Sequence, residues 1–73
     1  MVEIYGKEGC SKCTQAILLA TRENLNYKYI NVQTNGLDSL IERMGSKPRS
    51  VPQIFIDNKL VGGYTEFYNF IKG

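Results

Sequence analysis

The chain has 73 residues, 42% of them hydrophobic and 22% charged, and a formal net charge of +2. That length bounds it to one domain, 1–73, and so short a chain buries only about 60% of the surface its unfolded form exposes. The mild basic excess is not the dense stripe a nucleic-acid backbone needs, no stretch nears the roughly 20 apolar residues of a membrane helix, and Met1 to Tyr5 lacks the features of a signal peptide, so the expected compartment is the cytoplasm.

Val2 to Tyr5 reads as a short strand, and Gly6 to Gly9 as a loop carrying Lys7 and Glu8. From about Ser11 to Asn24 the pattern is helical: Cys13, Ala16, Ile17 and Ala20 fall at i, i+3, i+4 and i+7. Leu25-Asn26 breaks the helix, and Tyr27 to Val32 alternates like a strand, with Tyr27, Tyr29 and Asn31 on one side. Asn35-Gly36 opens a second helix with Leu37, Leu40, Ile41 and Met44 on its apolar face, closed by Gly45. Gln53 to Ile56 is a third strand, Asp57-Asn58 a hairpin turn, and Lys59 to Val61 a fourth strand, broken by Gly62-Gly63. Thr65 is the expected cap of a last helix carrying Phe67, Tyr68, Phe70 and Ile71.

The order is βαβαββα. A βαβ unit gives a parallel strand pair and the later hairpin an antiparallel one. The simplest solution is a four-stranded mixed sheet flanked by helices, an α/β arrangement of the thioredoxin-like kind.

Cys10 and Cys13 are the only cysteines, and they stand where the first strand hands over to the first helix. A C-x-x-C at that junction is the pattern of a redox dithiol. Its two-residue loop is a poor staple, because closing so short a loop removes little unfolded-state entropy. Zinc takes about four ligands, and a chain with two Cys and no His does not supply them, so no metal site is expected. A free cysteine has a pKa of about 8.5, and the helix N-terminus at Cys10, with Lys7 and Lys12 nearby, favours its thiolate. Cys13, one turn in and facing the core, is the expected resolving thiol, with Cys10 the nucleophile.

Three further features bear on chemistry. In Ser50-Val51-Pro52 the plainer reading of the residues alone is a trans proline that starts a strand; a cis bond would turn the Val51 backbone outward toward an extended thiol substrate. Gly62-Gly63-Tyr64-Thr65 is either an ordinary hairpin exit or a helix start that offers N–H groups to a carboxylate. Lys7, Lys12, Lys47 and Arg49 could embrace an anionic peptide or simply form a solvated face.

Together these residues resemble the glutaredoxin family. The resemblance rests on Val2 to Lys7 leading into Cys10-Ser11-Lys12-Cys13, then Val51-Pro52-Gln53-Ile54-Phe55-Ile56-Asp57, then Gly62-Gly63, in family order over nearly the whole chain. It implies a glutathione-dependent thiol–disulfide oxidoreductase, with glutathione as co-substrate and disulfide-containing proteins, a ribonucleotide reductase among the candidates, as partners of a monomer. It implies that Lys7 holds the glycyl carboxylate of glutathione, with Arg49 or Lys47 assisting. Val51 before a cis Pro52 pairs with the cysteinyl unit, Tyr64 and Thr65 receive the γ-glutamyl end, and Gly63 also belongs to the glutathione site. The sequence departs from the family where Ser11-Lys12 replaces the usual Pro-aromatic pair, and Lys12 there could support the thiolate or the glutathione carboxylate. Two alternatives follow from that departure. One is a donor redoxin reduced by thioredoxin reductase. The other is a carrier of a [2Fe–2S] cluster held between two subunits through Cys10 and glutathione.

Overall fold

The structure is a computed structural model that describes residues 1–73. β1 (Val2–Gly6) leads through a tight turn into α1 (Ser11–Arg22); β2 (Tyr27–Asn31) follows, then α2 (Leu37–Met44), β3 (Gln53–Ile56), β4 (Lys59–Gly62) and α3 (Tyr64–Lys72). The strands form one mixed sheet in the order β2-β1-β3-β4. β1 runs parallel to β2, with Val2 opposite Tyr27 and Gly6 opposite Asn31. It runs antiparallel to β3, with Val2 opposite Ile56 and Tyr5 opposite Gln53, and β3 pairs antiparallel with β4. This is the βαβαββα thioredoxin-like fold.

Strand alternation sorts the apolar residues onto two faces. Val2, Ile4 and Ile54 point to one side and bury against Ala16, Leu19 and Ala20 of α1 and Phe67 of α3. Tyr5 and Phe55, one residue out of phase, point to the other side and pack on Leu40 of α2. That second cluster is small, and Arg43 extends it. The Arg43 guanidinium lies 3.9 Å from the Phe55 ring centroid, pairs with Glu3 at 3.0 Å, and donates to the Tyr5 hydroxyl at 3.1 Å and to Asn58 at 3.3 Å. A cation that covers an aromatic face while its charge is matched can replace apolar side chains at a sheet surface.

The structure differs from the sequence reading in several element ends and in one peptide bond. α1 stops at Arg22 rather than Asn24, because Asn24 takes a left-handed φ of 58° and the Leu25 N–H turns back to the Ala20 carbonyl at 2.9 Å. β2 ends at Asn31, whose side chain accepts the Gln33 N–H at 2.7 Å and starts a π-helical segment, Val32–Gly36, ahead of α2. Thr65 does not cap α3: Gly63 is the N-cap, its N–H donates to Glu66 Oε1 at 2.8 Å, and Thr65 lies within the first helical turn. The Val51–Pro52 peptide is cis, which corrects the trans reading the residues alone favoured. Gly45 closes α2 as expected, at φ 78°, with its N–H on the Ile41 carbonyl at 2.8 Å.

Candidate active site

β1 ends in the sheet and delivers Cys10 to the first position outside α1. Cys10 is the N-cap: its backbone is extended, and its sulfur accepts the Cys13 N–H at 3.1 Å. N-caps are usually Ser, Thr, Asp or Asn, whose oxygens satisfy the unpaired amides of the first turn. Here a sulfur has that place. The same geometry that ends the helix therefore points an N–H and the positive end of the helix dipole at the reactive atom.

Cys10 and Cys13 form a disulfide, with Cα atoms 5.3 Å apart. The two sulfurs differ in access: Cys10 is half-buried, whereas Cys13 is 2% exposed. The space for Cys13 is made by Gly6. A Cβ placed on Gly6 would sit 2.9 Å from Cys13 Sγ and 2.9 Å from Tyr29 Cε1, so the sulfur and the Tyr29 ring meet over a bare backbone. Burial, with Glu8 adding to it, pushes the Tyr29 hydroxyl above its usual range. Neither Gly6 nor Tyr29 stood out as a site residue in the sequence. The available signal was a glycine ending an apolar strand four residues ahead of the C-x-x-C.

The cis-proline segment reaches the dithiol. The Val51 carbonyl oxygen lies 3.8 Å from Cys10 Sγ, and Pro52 is buried beneath it. The Gly63 position faces the Pro52 carbonyl, with 3.6 Å between that oxygen and a Cβ built there. Cys10, Val51, Pro52 and Gly63 thus form a continuous ridge. Lys12 joins it by reaching toward α3, with Nζ 5.3 Å from the Tyr64 ring centroid. Lys7, Arg49 and Thr65 are exposed, and their side chains make no hydrogen bond or ion pair. The structure therefore joins five of the expected binding residues to the dithiol ridge and leaves Lys7, Arg49 and Thr65 with no side-chain contact to it.

The ridge is open. The largest cleft, about 740 Å³, lies on the α2 side of the sheet, lined by Glu3, Lys28, Asn31, Ser39 and Arg43 among others, and includes neither cysteine. Thiol–disulfide exchange suits an open ridge, because a macromolecular disulfide must approach the sulfur directly.

A family model described as Glutaredoxin matches residues 2–61. The chain belongs to the glutaredoxin family. It is 34% identical to Glutaredoxin 1 of Escherichia coli strain K12 over 76 residues, covering 94% of this chain and 89% of that relative. It is 38% identical to Glutaredoxin 1 of Salmonella typhimurium over 76 residues, covering 94% and 87%. Among solved structures, oxidized Escherichia coli glutaredoxin superposes with a TM-score of 0.79 at 32% identity, covering 97% of this chain and 92% of that one. With its cysteine pair in place, this glutaredoxin is a thiol–disulfide oxidoreductase that works through cysteine thiolate chemistry, and its homology to glutaredoxins supports glutathione-dependent redox chemistry.

Nowhere in the chain do three His, Cys, Asp or Glu side chains gather, so a [2Fe–2S] cluster, which takes four ligands, would need Cys10 from each of two subunits together with glutathione.

Proposed function

We propose that Cys10 is the attacking thiolate and Cys13 the resolving thiol of a dithiol glutaredoxin that draws its electrons from glutathione. The observation that carries this is the asymmetry of the pair: the half-buried Cys10 sulfur accepts the Cys13 N–H at 3.1 Å, and Cys13 is 2% exposed. The Cys10 thiolate attacks one sulfur of a substrate disulfide. A Cys10–sulfur bond forms, the substrate S–S bond breaks, and the departing thiolate takes a proton from solvent. Cys13, giving up its proton, then attacks the Cys10 sulfur, releases the second substrate thiol and closes the Cys10–Cys13 disulfide. Two glutathione molecules, oxidised to their disulfide, return both cysteines to thiols.

Glutathione lies along the ridge in this reading. Its cysteinyl unit pairs with the Val51 backbone beside Pro52, and its γ-glutamyl carboxylate meets the start of α3. An α-helix leaves its first four N–H groups without intrahelical partners. The Glu66 carboxylate takes that of Gly63, so the amides of Tyr64, Thr65 and Glu66 are the ones open to a carboxylate. Lys7 and Arg49 serve the glycyl end, and Lys12 stands between the two ends. All these groups come from one chain, which we read as a single domain acting as a monomer in the reducing cytoplasm. Ribonucleotide reductase is one candidate protein substrate.

The test is NADPH oxidation with a small mixed-disulfide substrate, driven either by glutathione with glutathione reductase or by thioredoxin reductase alone. Turnover with glutathione only is expected. Turnover with thioredoxin reductase only would make the chain a donor redoxin and remove the glutathione site.

A further inference from the structure

The charges of this chain are unevenly spread. Three ion pairs form, Met1 with Asp57, Arg43 with Glu3, and Lys72 with Glu23, and none involves a residue of the dithiol ridge. Lys7, Lys12, Lys47 and Arg49 have no ion-pair partner and are all exposed. Each lies on one of the two chain segments that border the reactive sulfur. Lys12 lies between the cysteines and Lys7 three residues before Cys10, while Lys47 and Arg49 stand four and two residues before Val51, whose carbonyl oxygen is 3.8 Å from Cys10 Sγ. At no more than about 3.8 Å between successive Cα atoms, the Lys7 and Lys12 backbones fall within roughly 11 Å of Cys10 and those of Lys47 and Arg49 within roughly 15 Å of Val51, comparable to the Debye length at moderate to low salt.

Two acids share the rim. Glu8 stands in the β1–α1 loop beside Lys7, and Glu66 is engaged by the Gly63 N–H. With both counted, the rim carries the whole formal net charge of +2 and the rest of the chain is neutral. Lys12 is the best-placed cation, because the Tyr64 ring, itself 6.1 Å from Tyr68, receives its ammonium at 5.3 Å. A cation resting on an aromatic face is oriented at little cost to its charge, so its field remains available to an incoming group.

We propose that this basic rim selects disulfide substrates flanked by acidic residues, with Lys12, positioned by Tyr64, as the specificity-determining side chain. The inference rests on the thiol-exchange reading above and adds the substrate class. Opposite charge at an open, unenclosed site acts on encounter more than on the bound state, so its signature is a rate that depends on flanking charge and falls with salt.

The experiment uses pre-reduced full-length protein and two glutathionylated peptides, alike except that Glu or Lys flanks the modified cysteine. Cys10 attacks the glutathione sulfur, the mixed disulfide breaks, and the peptide leaves as a thiolate that takes a proton from solvent. The second-order rate of peptide release is read by stopped flow. The Glu peptide is expected to react about tenfold faster at low salt, the ratio shrinking to within about twofold at high salt. Lys12→Gln and Tyr64→Leu are expected to lower the ratio several-fold, whereas Tyr64→Phe, which keeps the ring, and Lys28→Gln, which removes an equal charge on β2, keep it. Equal rates for both peptides at low salt would overturn the proposal and leave the exchange chemistry standing. A ratio that Lys28→Gln lowers as much as Lys12→Gln would also overturn it, by making net charge the cause. If neither peptide is released, the exchange reading itself fails and takes the proposal with it.

Discussion

Gly6 and Cys13 share one small space: a Cβ on Gly6 would lie 2.9 Å from Cys13 Sγ and 3.1 Å from Cys13 Cβ. Real Cβ atoms do not approach so closely, and Tyr29 closes the other side at 2.9 Å. A buried methyl there must push the first turn of α1 or the Tyr29 ring. Gly6→Ala is therefore expected to cost about 1–3 kcal/mol, the usual range for overpacking. Urea unfolding of the oxidised protein checks it, and an unchanged midpoint would show that the space is looser than the geometry states.

The asymmetry between the two sulfurs predicts a split between substrates. Cys10→Ser should abolish exchange with every disulfide. Cys13→Ser should keep turnover of glutathione mixed disulfides, which glutathione resolves, and lose intramolecular reduction of protein disulfides. Steady-state assays with one substrate of each kind decide it. Activity surviving in Cys10→Ser would reverse the assignment drawn from the 3.1 Å contact and the burial of Cys13.

Arg43 is the fastener of the thinner face. It joins Glu3, Tyr5 and Asn58 and covers Phe55, so one side chain of α2 is tied to β1, β3 and the β3–β4 turn. Both partners of its ion pair are about four-fifths shielded, at 22% and 23% side-chain exposure, which places the pair between a surface bridge and a buried one. Arg43→Ala should cost about 2 kcal/mol, and Arg43→Lys should recover less than half, because a single ammonium nitrogen cannot reach partners now served by two separate guanidinium nitrogens or stack as a plane. Urea midpoints of the three proteins test this. Equal stability of Arg43→Lys and the parent would assign the effect to charge alone.

How far the sequence was legible follows from which interactions are local. Period and punctuation located the four strands and the three α-helices, though not the π-helical segment Val32–Gly36, because Ala16 and Ala20, or Val2 and Ile4, announce a buried face by spacing alone. The cysteine pair was equally plain, since its meaning lies in two positions three apart. Groups that meet through the fold left weaker traces. Gly6 owes its role to Tyr29, a residue on another strand, and Arg43 reads as an ordinary helix-end cation until the sheet brings Glu3 and Phe55 beneath it. The start of α3 was misplaced by two residues because a hydroxyl at Thr65 looked like the cap. The actual device runs the other way, with the Glu66 side chain reaching back to the Gly63 N–H.

Tyr29 gives the last prediction, a dependence on pH. Burial first, and Glu8 second, raise its pKa above the ordinary tyrosine value, since both penalise a phenolate in that place. The folded protein therefore holds the phenolic proton more tightly than the unfolded chain does. The resulting stabilisation is complete below the unfolded-state pKa and is lost as pH rises through the higher folded one. Of the five tyrosines, Tyr29 should contribute to the latest part of the alkaline tyrosinate absorbance rise. Tyr29→Phe should remove that late component and lose less stability than the parent between about pH 10 and 11. Glu8→Gln should shift the component to lower pH without abolishing the elevation, because desolvation remains. Loss of an early component in Tyr29→Phe would mean that the phenol is solvated rather than desolvated in its place beside Gly6.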